Sequence, residues 1–232
     1  GLRIVRNHLH PQAVSKDIVL VEIDERSLRK IGNWPWPRSV QGQMIDAIDR
    51  LGASRIVIDI LYTRPSEPAE DRALAESIRR SGKVTLAAQT RLGDVHGKQE
   101  RGLPIDLFTS KADVASLAMS YNWQGAVWTM PYAATVDGKS MPSLAARIAG
   151  VTKYNSGQFR MDYSFDPDSV PRLSAVDVLE GKVHPTAITG KTVVVGTTAV
   201  RLGDQHAFPG RGKRSGAYIH ILAAETLKAG RP

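Results

Sequence analysis

The sequence predicts an α/β fold of three layers, αβα, on a mostly parallel central sheet with some antiparallel strands. Two observations carry this. Four short apolar runs, residues 18–24 (IVLVEID), 55–60 (RIVIDI), 84–89 (VTLAAQ) and 192–197 (TVVVGT), are too short for core helices and too continuously apolar for strands wetted on one face. Between the first three lie segments with apolar residues at helical spacing, and such alternation implies parallel strands covered on both sides. With no internal repeat, low-complexity tract or convincing linker, 1–232 reads as a single domain, with 1–16 as a segment leading into the first strand.

After the first strand, residues 25–31 form a short helix stopped by Gly32. Trp34-Pro35-Trp36-Pro37-Arg38 fits neither regular helix nor central strand, because each proline lacks an N–H and restricts the residue before it. Ser39 is placed to cap the next helix, in which Val40, Met44, Ala47, Ile48 and Leu51 share one face before Gly52. Residues 65–69 are a polar loop, and 71–80 a helix with Leu74 and Ile78 inward, ended by Gly82. The polar, glycine-containing stretch 91–104 is the best candidate for a mobile loop. Residues 115–121 and 126–135 are β-like, and 159–165 alternates as an edge strand does. Pro142 opens a short helix to Ala149, 175–179 is a helical turn, and 215–229 is a final helix, apolar on most faces and therefore packed.

The chain has 232 residues, 31 basic and 23 acidic, for a formal charge of +8, and no cysteine. Disulfides, thiol nucleophiles and thiolate metal sites are excluded, and the lack of thiols leans towards an oxidising compartment. The basic residues are scattered, with one cluster at Arg211, Lys213 and Arg214, and no aromatic-rich basic stripe accompanies them, so nucleic acid is not an expected partner. No apolar run reaches the eighteen or more residues that a membrane helix needs.

Asp24, Asp59, Thr197 and Thr198 stand at the carboxyl ends of apolar strands, the edge at which open α/β sheets bind ligands. Acids there can hold a metal or transfer protons, or they can cap helices and pair with Arg38 and Arg55, the commoner fate of buried acids. Trp34 and Trp36 can stack on a ligand with Arg38 pairing an anionic group, or plug the core. His220, in an apolar helix, is more often a hydrogen-bonded core residue than a ligand. No HExxH pair, complete phosphate-binding glycine fingerprint or GxSxG elbow occurs, so neither a metal nor another cofactor is expected.

Residues 17–25 (DIVLVEIDE), Ser27-Leu28, Gly32 and Trp34-Pro35-Trp36-Pro37-Arg38 closely resemble the start of the second CHASE family, the cyclase- and histidine-kinase-associated sensory extracellular domains. Gly52-Ala53, Ile58-Asp59-Ile60, Asp71 with Leu74-Ala75, and Pro142-Ser143-Leu144-Ala145 continue the resemblance. Gly190-Lys191, residues 195–199 (VGTTA), Leu202-Gly203-Asp204, Ile219-His220 and residues 227–231 (LKAGR) complete it in the expected order. The chain departs from the family's middle segment, keeping only Val136-Asp137-Gly138-Lys139, and has Tyr218 where the family usually carries an acid.

The resemblance implies the extracytoplasmic sensor domain of a bacterial receptor in the inner membrane, facing the periplasm or the extracellular side. It implies a membrane helix before the domain, more after it, and a cyclase, diguanylate cyclase or phosphodiesterase, or kinase output. The domain itself is then expected to bind a small-molecule or peptide ligand without catalysing a reaction, and to form a homodimer in the full-length receptor. The expected cleft is lined by residues drawn from Asp24, Trp34, Trp36, Arg38, Asp59, Thr197, Thr198, Asp204 and His220. The competing readings are a hydrolase or metal-dependent enzyme using Asp24, Asp59 and Asp204, and a structural dimerisation module. Leu2, Val5 and Leu9 recur at near-helical spacing, so residues 1–10 are expected to continue a membrane helix, and both chain ends to lie on one side of the domain.

Overall fold

The computed structural model describes residues 11–89, 101–123, 125–153, 156–209 and 212–230. The expectations for residues 1–10, most of 91–104, Gly1 and Pro232 lie outside the described residues.

The central sheet has six strands in the order β10 (Arg172–Ser174), β1 (Ile18–Ile23), β11 (Thr192–Thr197), β2 (Arg55–Leu61), β3 (Val84–Ala88) and β4 (Asp113–Ser116). Every pairing in it is parallel. The antiparallel character sits in small satellites: β5 (Ser120–Tyr121) with β6 (Val127–Pro131) and β9 (Gln158–Arg160), the hairpin β7 (Ala133–Val136)–β8 (Lys139–Pro142), and the pair β12 (His206–Ala207)–β13 (Lys213–Arg214). The β7–β8 turn is built from Asp137 (φ 48°) and Gly138 (φ 78°), the two left-handed residues that a tight hairpin of this kind requires. Its Asp137 carboxylate accepts the Gly102 and Leu103 N–H groups, which anchors 101–104 against it.

The last strand of this sheet in sequence, β11, is threaded between β1 and β2, pairing Gly196 with both Glu22 and Asp59. A strand with neighbours on both sides and helices on both faces must be apolar throughout, and TVVVGT satisfies that demand. Pleating sends alternate residues to opposite faces. Val21, Ile23, Ile56, Ile58, Val193 and Val195 pack against Met44, Ile45 and Ile48 of α2 (Arg38–Arg50), Leu74 and Ile78 of α3 (Pro68–Ser81), and Val178 of α6 (Ala175–Leu179). Ile18, Leu20, Val57 and Val194 pack against Leu144 and Ile148 of α5 (Leu144–Ala149) and Ala217, Ile221 and Leu222 of α7 (Gly216–Lys228). The result is the three-layer αβα arrangement.

Helix α7 is buried at every residue from Gly216 to Thr226, as an all-round apolar helix must be. α5 and the β6–β9 sheet cover the side turned away from the strands. Among the described residues no helix is long and apolar enough to cross a membrane.

The Trp-Pro-Trp-Pro-Arg turn is structural at Trp36 and Arg38. The Trp36 ring is 3% exposed, and its Nε1–H donates to the Gly32 carbonyl at 2.9 Å. Gln41 then donates to the Trp36 carbonyl at 2.8 Å and accepts from the Tyr62 hydroxyl. Arg38 pairs with Asp71 of α3, donates to the Arg64 carbonyl, and lies over the Tyr62 and Phe108 rings at 5.4 and 5.3 Å. It therefore ties α2 to α3 and the intervening loop rather than meeting an acid at a strand end. Arg55 likewise meets neither Asp24 nor Asp59 among the described residues: it donates to the Arg147 and Ile148 carbonyls at 2.9 and 3.3 Å, at the end of α5. Ser39 does not cap α2, which begins at Arg38; its N–H donates to the Glu70 carboxylate at 2.6 Å.

Candidate functional site

A cavity of about 640 Å³ opens at the carboxyl edge of the sheet, where β11 and β2 end against the first turn of α7. β2 contributes Asp59 and β11 contributes Thr197, while α7 adds Gly216 and, one turn later, His220. The segment between the helical turn Val200–Leu202 and α7 brings Asp204 and His206, and Gln89 follows β3. The opposite wall is largely apolar, made by Trp34, Leu61, Leu117 and Met119, with Tyr121 at its margin.

Two glycines let α7 reach this edge. A Cβ on Gly196 would stand 2.7 Å from the Ala217 Cβ, so a side chain on that strand position would push the helix off the sheet. A Cβ on Gly216 would meet both Asp204 carboxylate oxygens at 3.0 Å. The close approach allows the Gly216 N–H at the start of α7 to donate to Asp204 Oδ2 at 2.9 Å. His206 Nε2 lies 2.9 Å from the other oxygen, and its Nδ1 lies 3.0 Å from the Tyr121 hydroxyl, with the two rings stacked at 6.0 Å.

Four ionisable groups here are displaced from their ordinary behaviour, the Tyr121 hydroxyl being raised by burial and by the Asp204 charge. Burial pushes Asp59 up to about 7, and the nearby Asp204 charge adds to that, against a smaller opposing effect of His206. Burial pushes His220 down to about 4, only partly offset by Asp204. Burial also acts to raise Asp204, but the hydrogen bonds from His206 and the Gly216 N–H outweigh it and hold this carboxyl below its usual range. At neutral pH the cavity floor thus carries an ionised Asp204, a neutral His220 and an Asp59 close to its midpoint. Asp59 finds no hydrogen-bond partner among the described residues, and the buried His220 Nδ1 has none either.

A second cleft, of about 520 Å³, lies on the other side of the 203–215 segment. Asp204 and His206 face the first cavity, whereas Gln205, Lys213 and Arg214 face the second. The second cleft also takes Asp24 and Thr198. Asp24 has a structural task as well: its Oδ1 accepts from the Ser27 N–H at 2.8 Å, capping α1 (Glu25–Ile31), and from the Ser174 hydroxyl at 3.0 Å. Tyr218, in place of the family's usual acid, donates to Glu22 at 2.9 Å and accepts from Arg172 at 3.3 Å. Of the nine residues proposed from sequence, Trp34, Asp59, Thr197, Asp204 and His220 share the first cavity. Asp24 and Thr198 line the second, and Trp36 and Arg38 line neither. His206, Tyr121, Gln89 and the Leu117–Met119 wall complete the site without having been among the nine. The Asp204-x-His206 spacing was the available signal, since alternate residues of an extended segment face one side.

The model of the CHASE2 domain matches residues 2–232. The chain belongs to the CHASE2 family. CHASE2 domains are extracytoplasmic sensors of membrane receptors. No curated protein and no solved structure gives a significant match to the chain.

Proposed function

We propose that this CHASE2 domain senses a small ligand in the cavity at the ends of β2 and β11, and that α7 carries the occupancy signal to the membrane. The observation behind this reading is the course of α7. It begins at the cavity with Gly216 and His220 and, about 20 Å on at about 1.5 Å per residue, ends beside the incoming chain. There Lys228 pairs with Asp17 at 2.8 Å, and the buried Glu225 accepts from the Ser15 hydroxyl and N–H at 2.6 and 3.1 Å. The segment entering β1 and the helix leaving the domain are thus latched together at the pole opposite the cavity. A ligand that prefers one of two α7 positions shifts their populations, and the latch turns that shift into relative movement of the two chain ends.

In the full-length receptor the domain faces the periplasm or extracellular side of the inner membrane, is flanked by membrane helices, and works as a homodimer controlling a cyclase, diguanylate cyclase or phosphodiesterase, or kinase output. The cavity favours this reading over a purely structural module. The enzymatic alternative needs Asp24, Asp59 and Asp204 together, and Asp24 lines the other cleft. Charge reversal tests the latch: Asp17→Lys and Lys228→Asp should each change the basal output of the full-length receptor in membranes, and the double exchange should restore it. Single variants with wild-type output and wild-type response would contradict the proposal.

A further inference from the structure

The charges of the cavity are opposite to those of the chain around it. In a protein of net charge +8, the cavity is lined by two carboxylates and, among the described residues, by no lysine or arginine. One carboxylate is committed: Asp204 holds His206 and the Gly216 N–H. The other, Asp59, has no hydrogen-bond partner among the described residues, and across from the strands His220, 1% exposed and with an unpartnered Nδ1, lines the same site. The half-buried Asp59 carboxylate therefore offers the cavity a hydrogen-bond acceptor that no protein donor occupies among the described residues. The remaining wall of Trp34, Leu61, Leu117 and Met119 offers apolar contact and one indole face.

We propose that the cavity binds a small organic cation, a primary ammonium group on an apolar body, with the ammonium donating to Asp59 and lying against the His220 imidazole. This rests on the reading of the cavity as a ligand site and specifies the class of ligand. An ammonium brings donors and no acceptor, which matches a carboxylate beside a neutral imidazole. It also supplies the counter-charge that lets Asp59 ionise beside Asp204, whereas an anionic ligand would place a third negative charge there. The apolar body lies against the Leu117–Met119 wall, and Trp34 adds its ring face to the attraction for a cation. A volume of about 640 Å³ is ample for a ligand of this kind.

The proposal carries a pH signature. The ionisable groups facing the ammonium are Asp59 from β2, His220 from α7, Asp204 and His206 from the 203–207 segment, and Tyr121 from β5. Asp59 changes charge at about 7. Binding of a cation requires its ionised form, so affinity should be flat above that pH and fall towards tenfold per pH unit below it.

A matched series sharing one body tests the inference: 2-phenylethylamine, 2-phenylethanol and phenylacetate, titrated calorimetrically into the 232-residue chain at about pH 8 and about pH 6. The expected result is that the amine binds, and that it loses about tenfold in affinity at the lower pH. Phenylacetate should not bind, and Asp59→Asn should weaken the amine at least tenfold and remove the pH dependence. Leu117→Trp, which fills the cavity from its apolar wall, should abolish amine binding in a chain that keeps Asp59, so the test does not depend on one variant folding. If phenylacetate or phenylethanol binds as well as the amine, or Asp59→Asn binds it unchanged, the cation proposal is overturned while the cavity remains a ligand site. If none of the three binds at millimolar concentration, the proposal is likewise overturned, and a cavity hit of another chemistry would leave the sensing role intact.

Discussion

Asp59 and His220 give the stability of this domain two opposed pH dependences, and replacing either residue should expose the other. Asp59 titrates at about 7 in the folded chain against an ordinary 3.8, so the folded state holds its proton more tightly than the unfolded state does. Its contribution is fully present below 3.8 and is lost as pH rises through 7. His220 titrates at about 4 against an ordinary 6.5, so its contribution is present above 6.5 and is lost as pH falls through 4. Between those limits each group acts with a slope of about 1.4 kcal/mol per pH unit, of opposite sign, and the two cancel in the wild type. Asp59→Asn leaves the His220 slope alone: from about pH 4.5 to about pH 6 the variant should gain about 2 kcal/mol relative to wild type. At about 2–4 °C per kcal/mol for a chain of this length, that is a relative rise in Tm of about 4–8 °C. His220→Gln should show the mirror image, losing stability across the same window. Asp204, held below its usual range, acts only at more acidic pH and does not confuse the reading. Melting followed by circular dichroism across that range is the assay. An Asp59→Asn chain whose Tm runs parallel to wild type would refute the assignment of a proton to Asp59 at neutral pH.

Trp36→Ala should cost about 3–5 kcal/mol in denaturant unfolding, because the ring is buried and its N–H committed to Gly32; a chain melting at the parental temperature would contradict the burial. Gly196→Ala should destabilise by about 1–3 kcal/mol through the clash with Ala217, and adding Ala217→Gly should recover part of the loss. Because the chain has no cysteine, Trp123→Cys creates a unique thiol at a position 91% exposed, which a membrane-impermeant maleimide should label in intact cells carrying the full-length receptor. Labelling only after lysis would overturn the extracytoplasmic placement.

The central sheet was legible where a strand's own residues demand burial on both faces. β1, β2, β3 and β11 are such strands, and glycines at 32 and 82 marked the ends of two helices. β10 was not legible, since Arg172–Ser174 has one apolar residue and owes its strand conformation to pairing with β1. The β7–β8 hairpin announced itself only through Asp137-Gly138. The site was legible as a sheet edge but not as a partition of residues between clefts. Thr197 and Thr198 are adjacent, yet neighbouring residues of an extended chain point opposite ways, and they line different clefts. Nor does sequence reveal that Arg38 meets Asp71, 33 positions away, or which of two tryptophans plugs the core. Those outcomes follow from how α2 docks on α3, a tertiary fact with no local signal.

Coupling between the cavity and the latch is most directly read from backbone amide resonances of the ¹⁵N-labelled chain, titrated with a library of small metabolites. A ligand of the site should shift Thr197, Gly216 and His220 at the cavity and, in the same titration with the same midpoint, Ser15, Asp17 and Lys228 at the far end of α7. Ligands that move the cavity resonances while the latch stays unchanged, or that bind the chain without touching the cavity, would contradict it.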